Sequence, residues 1–204
     1  MNKRGMLIIL SGPSGSGKGT IVQQLLSERD DTVLSISATT RSPRTGEQDG
    51  VHYYFKTREE FEKLIESGEL LEYAEYNGNY YGTPAEPIER YLADGKNVIL
   101  EIEVQGAEKV MDRQQPDVVS IFITIPSLAE LERRLRQRGT ETEDSIEQRL
   151  KIARHELSRA FRYDYVVLND EVPLAVERIH TIISAESMRY SRMENYILEV
   201  INNA

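Results

Sequence analysis

A chain of 204 residues with 39% hydrophobic and 29% charged side chains can bury a substantial core, and its length fits one domain with insertions better than two independent ones. Its net charge of -9 argues against a generic binder of nucleic acid or anionic membrane, so any basic cluster must be local and aimed at a small anion. With no cysteine, disulfides, thiolate catalysis and Cys-ligated zinc are excluded together.

The segment Met1 to Arg4 is basic and Met6 to Leu10 apolar, yet that apolar run is too short for a signal sequence or a membrane span, and a cytoplasmic location is expected. His52, His155 and His180 are too scattered to suggest a metal site. Met6 to Leu10 carries no helical periodicity and predicts a central strand buried on both faces. The following residues, Gly12, Pro13, Ser14, Gly15, Ser16, Gly17, Lys18, Gly19 and Thr20, have the GxxxxGK spacing of a P-loop. Gly12, Gly15 and Gly17 let successive backbone N–H groups turn inward, and a helix opening near Lys18 adds its positive N-terminal end. That cage suits polyphosphate, with Lys18 against the outer phosphates. An ordinary glycine-rich turn is the competing reading, and the strand before and amphipathic helix after weigh against it. Where most P-loops place a Ser or Thr for Mg²⁺ directly after the lysine, this chain has Gly19; its first hydroxyl is Thr20. The GKGT ending resembles the P-loops of nucleoside monophosphate kinases.

Thr32 to Thr39 predicts a strand, followed by the turn-rich, locally basic TTRSPRTGEQDGVHYYF. Arg41 and Arg44 there are either surface arginines or a guanidinium clamp for a phosphate monoester, with tyrosine hydroxyls completing the oxygens. Thr57 and Glu60 form a capping box for a helix with Phe61, Leu64 and Ile65 on its apolar stripe, ended by Gly68. Leu70 to Tyr76 predicts a short strand carrying Glu72, and YNGNYYGTP at 76–84 predicts a second Tyr- and Gly-rich loop. Thr83 with Pro84 and Glu86 matches a helix cap, which competes with a functional role for that threonine.

Asn97 to Glu103 predicts a buried strand bounded by Gly95 and Gly106. Glu101 and Glu103 fall at its C-terminal end, where α/β sheets meet ligands, although an exposed strand end would look the same. Val118 to Ile125 predicts another strand, and Ser127 with Glu130 caps a helix rich in arginine, with Arg134 and Arg138 on one face and Gly139 as its stop. A second helix follows, with Ile146, Leu150, Ala153 and Leu157 inward and Arg149 elsewhere. These arginines are a solvated surface or, in a P-loop kinase, a mobile lid. Asp164 to Asn169 predicts the last strand, and Pro173 to Ala204 is helical in pattern.

Taken together, GPSGSGKGT, SATTRSPRTGEQDGVHYYF, LLEYAEYNGNYYGT, ILEIEVQG and RRLRQRGTETEDSIEQRL resemble the guanylate kinase family in order and spacing over nearly the whole chain. The resemblance implies one α/β P-loop kinase domain over 1–204, with a mostly parallel sheet flanked by helices. Within it, 1–34, 96–126 and 164–204 would form the core, 35–95 an inserted GMP-binding subdomain and 127–163 a helical lid. It implies that Arg41, Arg44, Tyr53 and Tyr81 hold the GMP phosphate, that Glu72, Ser37 and Thr83 read the guanine, and that Glu101 borders that site. It also implies that Arg134, Arg138 and Arg149 belong to the lid and that Asn169 lies near the adenine of ATP. Where many relatives have Asp, this chain has Glu101 and Glu103; they keep the charge and are candidates for holding Mg²⁺ through water. The expected reaction is ATP + GMP to ADP + GDP, with dGMP a further substrate, and with no nucleic-acid or membrane partner; self-association stays open. An adenylate-kinase-like enzyme and a non-catalytic phosphopeptide-binding module are the alternatives. Guanine itself favours the first reading, because its adjacent N1–H and amino donors suit one carboxylate whereas adenine presents an acceptor at N1.

Overall fold

The structure, a computed structural model, describes residues 4–76, 78–113, 118–137 and 142–202. The first half of the chain forms β1 (Leu7–Ser11), α1 (Lys18–Glu28), β2 (Thr32–Leu34), β3 (Ala38–Thr39), β4 (Tyr54–Phe55), α2 (Arg58–Glu66), β5 (Leu70–Tyr76), β6 (Asn79–Pro84) and α3 (Ala85–Ala93). The second half adds β7 (Asn97–Glu101), α4 (Val104–Met111), β8 (Val118–Thr124), α5 (Leu128–Gln137), α6 (Glu143–Leu157), β9 (Tyr165–Leu168), α7 (Val172–Ser187) and α8 (Tyr190–Asn202).

Five parallel strands make the main sheet in the order β2-β7-β1-β8-β9. The central β1 is buried along its whole length, and strand alternation divides its side chains between two cores. Ile8 and Leu10 pack with Ile21, Leu25, Val176 and Ile179, under α1 and α7. Leu7 and Ile9 point the other way, to Ile88, Leu92, Ala107 and Val110 of α3 and α4. A third cluster, Leu131, Leu135, Ile146 and Ala153, joins α5 to α6.

The second sheet has the order β4-β3-β6-β5. Here two expectations change. The predicted strand over 32–39 is two strands: β2 pairs with β7 in the main sheet, whereas β3 pairs with β4 and β6 in the second. Within the segment 76–84 predicted as a loop, Asn79–Pro84 is strand β6, running antiparallel to β5. One face of this sheet is closed by α2, where Phe61 packs with Ala38 and Leu70 and stacks on Tyr80. The capping box of α2 is present in both directions, Glu60 N–H to Thr57 Oγ1 at 3.2 Å and Thr57 N–H to Glu60 Oε2 at 2.8 Å.

Two boundaries also move. The strand predicted to Glu103 stops at Glu101, and Gly106, predicted to bound that strand, lies inside α4. Thr83 does not cap α3, whose N-cap position is Pro84 with no side-chain bond. Gly139, predicted as the stop of α5, lies outside the described residues. Among the described residues, no helix is long and apolar enough to cross a membrane.

Candidate active site

The phosphate loop leaves β1 at the C-terminal edge of the main sheet. Gly12 passes so close to β8 that a Cβ there would sit 2.2 Å from Ile123 O, and Gly17 caps α1 with φ of 91° while a Cβ would lie 2.4 Å from Asn169 Nδ2. Side chains at either position are excluded by both space and backbone conformation. Lys18 is only 8% exposed and folds back over the loop, its Nζ donating to Gly12 O at 2.5 Å and Pro13 O at 3.3 Å. These are carbonyls of the loop itself, so the ammonium is held at the place where phosphate would compete for it.

Two cavities flank the loop. The first, about 420 Å³, is lined by Ser14, Gly15, Lys18, Gly19, Thr20, Gln23, Glu101 and Glu103. Burial pushes the Glu101 carboxyl up, Lys18 draws it down and Glu103 pushes it up again. Two neighbouring carboxylates on a polyphosphate cavity are hard oxygen donors of the kind Mg²⁺ takes while keeping several waters. Among the described residues no group of three or more acidic or histidine side chains could cage a metal by itself. The donor set therefore fits an ion held chiefly by phosphate oxygens and water, with Glu101 and Glu103 on its outer side. Glu103 also stands at the N-cap position of α4 without making a side-chain cap.

The second cavity, about 340 Å³, is lined by Gly17, Thr20, Arg134, Gln137, Asn169, Asp170 and Val172. Asn169, 2% exposed, donates Nδ2–H to Ser16 O at 2.6 Å, while its buried Oδ1 has no hydrogen-bond partner among the described residues. Arg134 reaches from α5 to the same place, donating to Asn169 O at 2.9 Å and to Ser16 O at 3.4 Å, with Glu130 Oε1 at 2.8 Å behind it. Arg149 of α6 donates to Ser14 Oγ at 3.4 Å. Arg138 lies outside the described residues.

The second sheet gathers the other group. Its β5–β6 register sets Glu72 opposite Thr83, and its β3–β6 register sets Thr39 opposite Tyr81 and Ala38 opposite Gly82. Extending that register by one residue puts Ser37 beside Thr83, so alternation places Ser37, Tyr81, Thr83 and Glu72 on the face away from α2. Thr83 Oγ1 donates to Glu72 Oε1 at 2.7 Å. The carboxylate is 8% exposed, and burial pushes it up, opposed by the Thr83 hydroxyl and by Lys109 and Arg113. Its Oε2 lies against α4, where a Cβ on Gly106 would come within 3.0 Å. Further along, Arg41 lies over the ring of Tyr53 at 5.4 Å, Tyr53 meets Tyr81 edge-on at 6.2 Å, and Arg41 pairs with Glu47 at 2.9 Å. The Arg44 N–H donates to the other oxygen of Glu47 at 2.7 Å, and Arg44 is exposed. Thus Arg41, Tyr53 and Tyr81 are brought together, and Glu72 with Thr83, while Arg44 stays on the surface of the loop.

A family model described as guanylate kinase matches residues 4–186. The chain belongs to the guanylate kinase family. A protein named guanylate kinase from Enterococcus faecalis is 56% identical over 194 residues, 95% of each chain, and one from Bacillus cereus is 54% identical over 200 residues, 98% of this chain and 97% of the other. The crystal structure of guanylate kinase from Anaplasma phagocytophilum superposes with a TM-score of 0.76 at 39% identity, covering 97% of this chain and 95% of that one.

One buried group of this guanylate kinase-family site escaped the sequence reading. Glu156 on α6 is 9% exposed, and its Oε2 has no hydrogen-bond partner among the described residues. It falls three residues after Ala153 of the inward stripe, so a carboxylate at core spacing was the available signal.

Proposed function

We propose that the chain transfers the γ-phosphoryl group of ATP to GMP, giving ADP and GDP, and accepts dGMP as well. The buried Glu72 carboxylate, already bonded to Thr83 on the face of the second sheet away from α2, carries this reading. It is an anionic acceptor pair matched to the N1–H and amino donors of guanine, with Thr83 orienting it and the Ser37 hydroxyl in the same row for O6. An adenylate-kinase-like reading has no use for that carboxylate. A phosphopeptide-binding module has no use for Lys18, Arg134 and Arg149 gathered on the phosphate loop.

In this proposal 35–95 is the GMP-binding subdomain, 127–163 the lid, and 1–34, 96–126 and 164–204 the core. Arg41, Tyr53 and Tyr81 bind the GMP phosphate, with Arg44 joining from the loop and Glu101 at the border between the two substrates. Gly12 to Thr20 hold the ATP phosphates, with Asn169 and its unpaired Oδ1 on the adenine side. A GMP phosphate oxygen attacks the γ-phosphorus as the bond to the β–γ bridging oxygen breaks, so no covalent enzyme intermediate forms. Lys18, Arg134 and Arg149 neutralise the charge spread over the transferring group. Glu101 and Glu103 would hold Mg²⁺ through water beside the nucleotide, and the ion would supply further neutralisation of phosphate charge.

A coupled assay of ADP formation with ATP and GMP, dGMP or AMP tests the reading. Turnover with GMP and dGMP and little with AMP is expected. Preference for AMP would overturn the base assignment, and absence of turnover with all three would favour a binding module.

A further inference from the structure

A glycine inside a helix is costly, because it gives up more backbone freedom than any other residue and packs no side chain. Gly106, the third residue of α4, carries that cost with no need of a glycine's backbone, since its φ is not positive. Space accounts for it. A Cβ at 106 would lie 3.0 Å from Glu72 Oε2 and 3.4 Å from Glu72 Cδ, while its next neighbour, Ile102 Cδ1, is at an ordinary 3.7 Å. What excludes a side chain here is the Glu72 carboxylate.

Both sides of this contact are tied down. Lys109 Nζ donates to Tyr73 O at 2.6 Å and Arg113 to Leu70 O at 3.1 Å, fixing α4 to β5 on either side of Glu72, and Val104, Ala107 and Val110 share a core with Leu71. Glu72 is held at its other oxygen by Thr83 Oγ1 at 2.7 Å. A methyl group at 106 therefore has to displace the Glu72 carboxylate by a few tenths of an ångström, against its bond to Thr83. Resting on the assignment of Glu72 to guanine, we propose that Gly106 is a positioning residue for base recognition: by leaving out a side chain, α4 forms the floor on which Glu72 Oε2 rests. With one oxygen tied by Thr83 and the other backed by α4, the carboxylate has a single orientation and keeps lone pairs for the N1–H and amino donors of guanine.

Calorimetric titration of Gly106→Ala with GMP should give about tenfold weaker binding, while ATP affinity stays within about twofold of wild type. Alanine is the better helix former, so a loss of this kind does not come from a weakened α4. The loss should also run through Glu72. In Glu72→Asp the carboxylate is drawn back by one methylene, and adding Gly106→Ala to that variant should change GMP affinity by no more than about twofold. Unchanged GMP affinity in Gly106→Ala overturns the inference, as does an equal loss for ATP or an undiminished loss in the Glu72→Asp background. If Gly106→Ala alone does not fold, a folded double variant with Glu72→Asp shows that the methyl meets the carboxylate, and failure of both to fold overturns the inference. Should Glu72→Asp by itself leave GMP affinity at the wild-type level, the assignment of Glu72 to guanine fails and this inference with it. A loss in Glu72→Asp without one in Gly106→Ala overturns this inference alone.

Discussion

Thr83 Oγ1 and Glu72 Oε1 lie 2.7 Å apart across a β5–β6 pair whose register sets the two residues directly opposite. The hydroxyl fixes which way the carboxylate presents its lone pairs, so the group proposed to read the base is oriented before any nucleotide arrives. Glu72→Gln turns one acceptor into a donor facing guanine donors. A lost hydrogen bond to a charged group is worth about 1.5–3 kcal/mol, so KM for GMP should rise about ten- to more than a hundredfold, with much less change for AMP. Thr83→Val keeps the shape and removes the donor, and should cost GMP about 1 kcal/mol, or about fivefold. Steady-state kinetics with both nucleotides checks this, and equal losses for GMP and AMP would remove Glu72 from base reading.

The order of strands and helices was largely legible because it rests on local patterns: the apolar run before Gly12, the Thr57–Glu60 capping box, and the inward stripe of α6. The pairing was not. Thr32 to Thr39 is one extended pattern, and nothing local says that its two ends join different sheets. The Asn, Gly and Tyr of 76–84 suggested a loop, yet β6 tolerates Gly82 because Phe61 fills the space where a Cβ would sit within 3.0 Å. Gly106 seemed to end an element, but it lies in α4 where the Glu72 carboxylate approaches it. For the site, glycine and lysine spacing marked the phosphate loop from the residues alone. The Glu72–Thr83 contact depends on strand register, which a capping motif at Thr83 concealed.

The raised Glu156 carboxyl has a consequence for stability. Its value in the fold, about 7, lies above the ordinary 4.5, so the native chain binds this proton more tightly than the unfolded chain does. Its contribution is present below about pH 4.5 and is lost as pH rises through about 7. Glu72 and Glu101 are shifted in the same direction by burial. The melting temperature of the wild type should therefore fall between about pH 5 and about pH 8, and that of Glu156→Gln should fall less. Parallel melting curves for the two chains would show that the carboxyl is not proton-linked to folding.

Gly19 leaves the phosphate loop without a hydroxyl directly after Lys18, and a Cβ there would sit 3.7 Å from Glu101 Oε1, an ordinary contact. Glu101→Gln should raise the free Mg²⁺ needed for half-maximal rate at fixed ATP and saturating GMP, because the proposed partner of the hydrated ion loses its charge. Adding Gly19→Ser to that variant fits the available space and should recover part of the loss. Rate against free Mg²⁺ for wild type, Glu101→Gln, Glu103→Gln and the double variant checks it, and a curve unmoved by either carboxylate change would leave both glutamates outside metal binding.

The two substrates are assigned to different sheets, with Lys18 serving the ATP phosphates and the second sheet holding GMP. Lys18→Ala should abolish turnover, since the charge proposed to meet the transferring phosphoryl group is gone. The most direct measurement is a calorimetric titration of folded Lys18→Ala with GMP. The account predicts a dissociation constant within about twofold of wild type, and a folded variant that no longer binds GMP would contradict it.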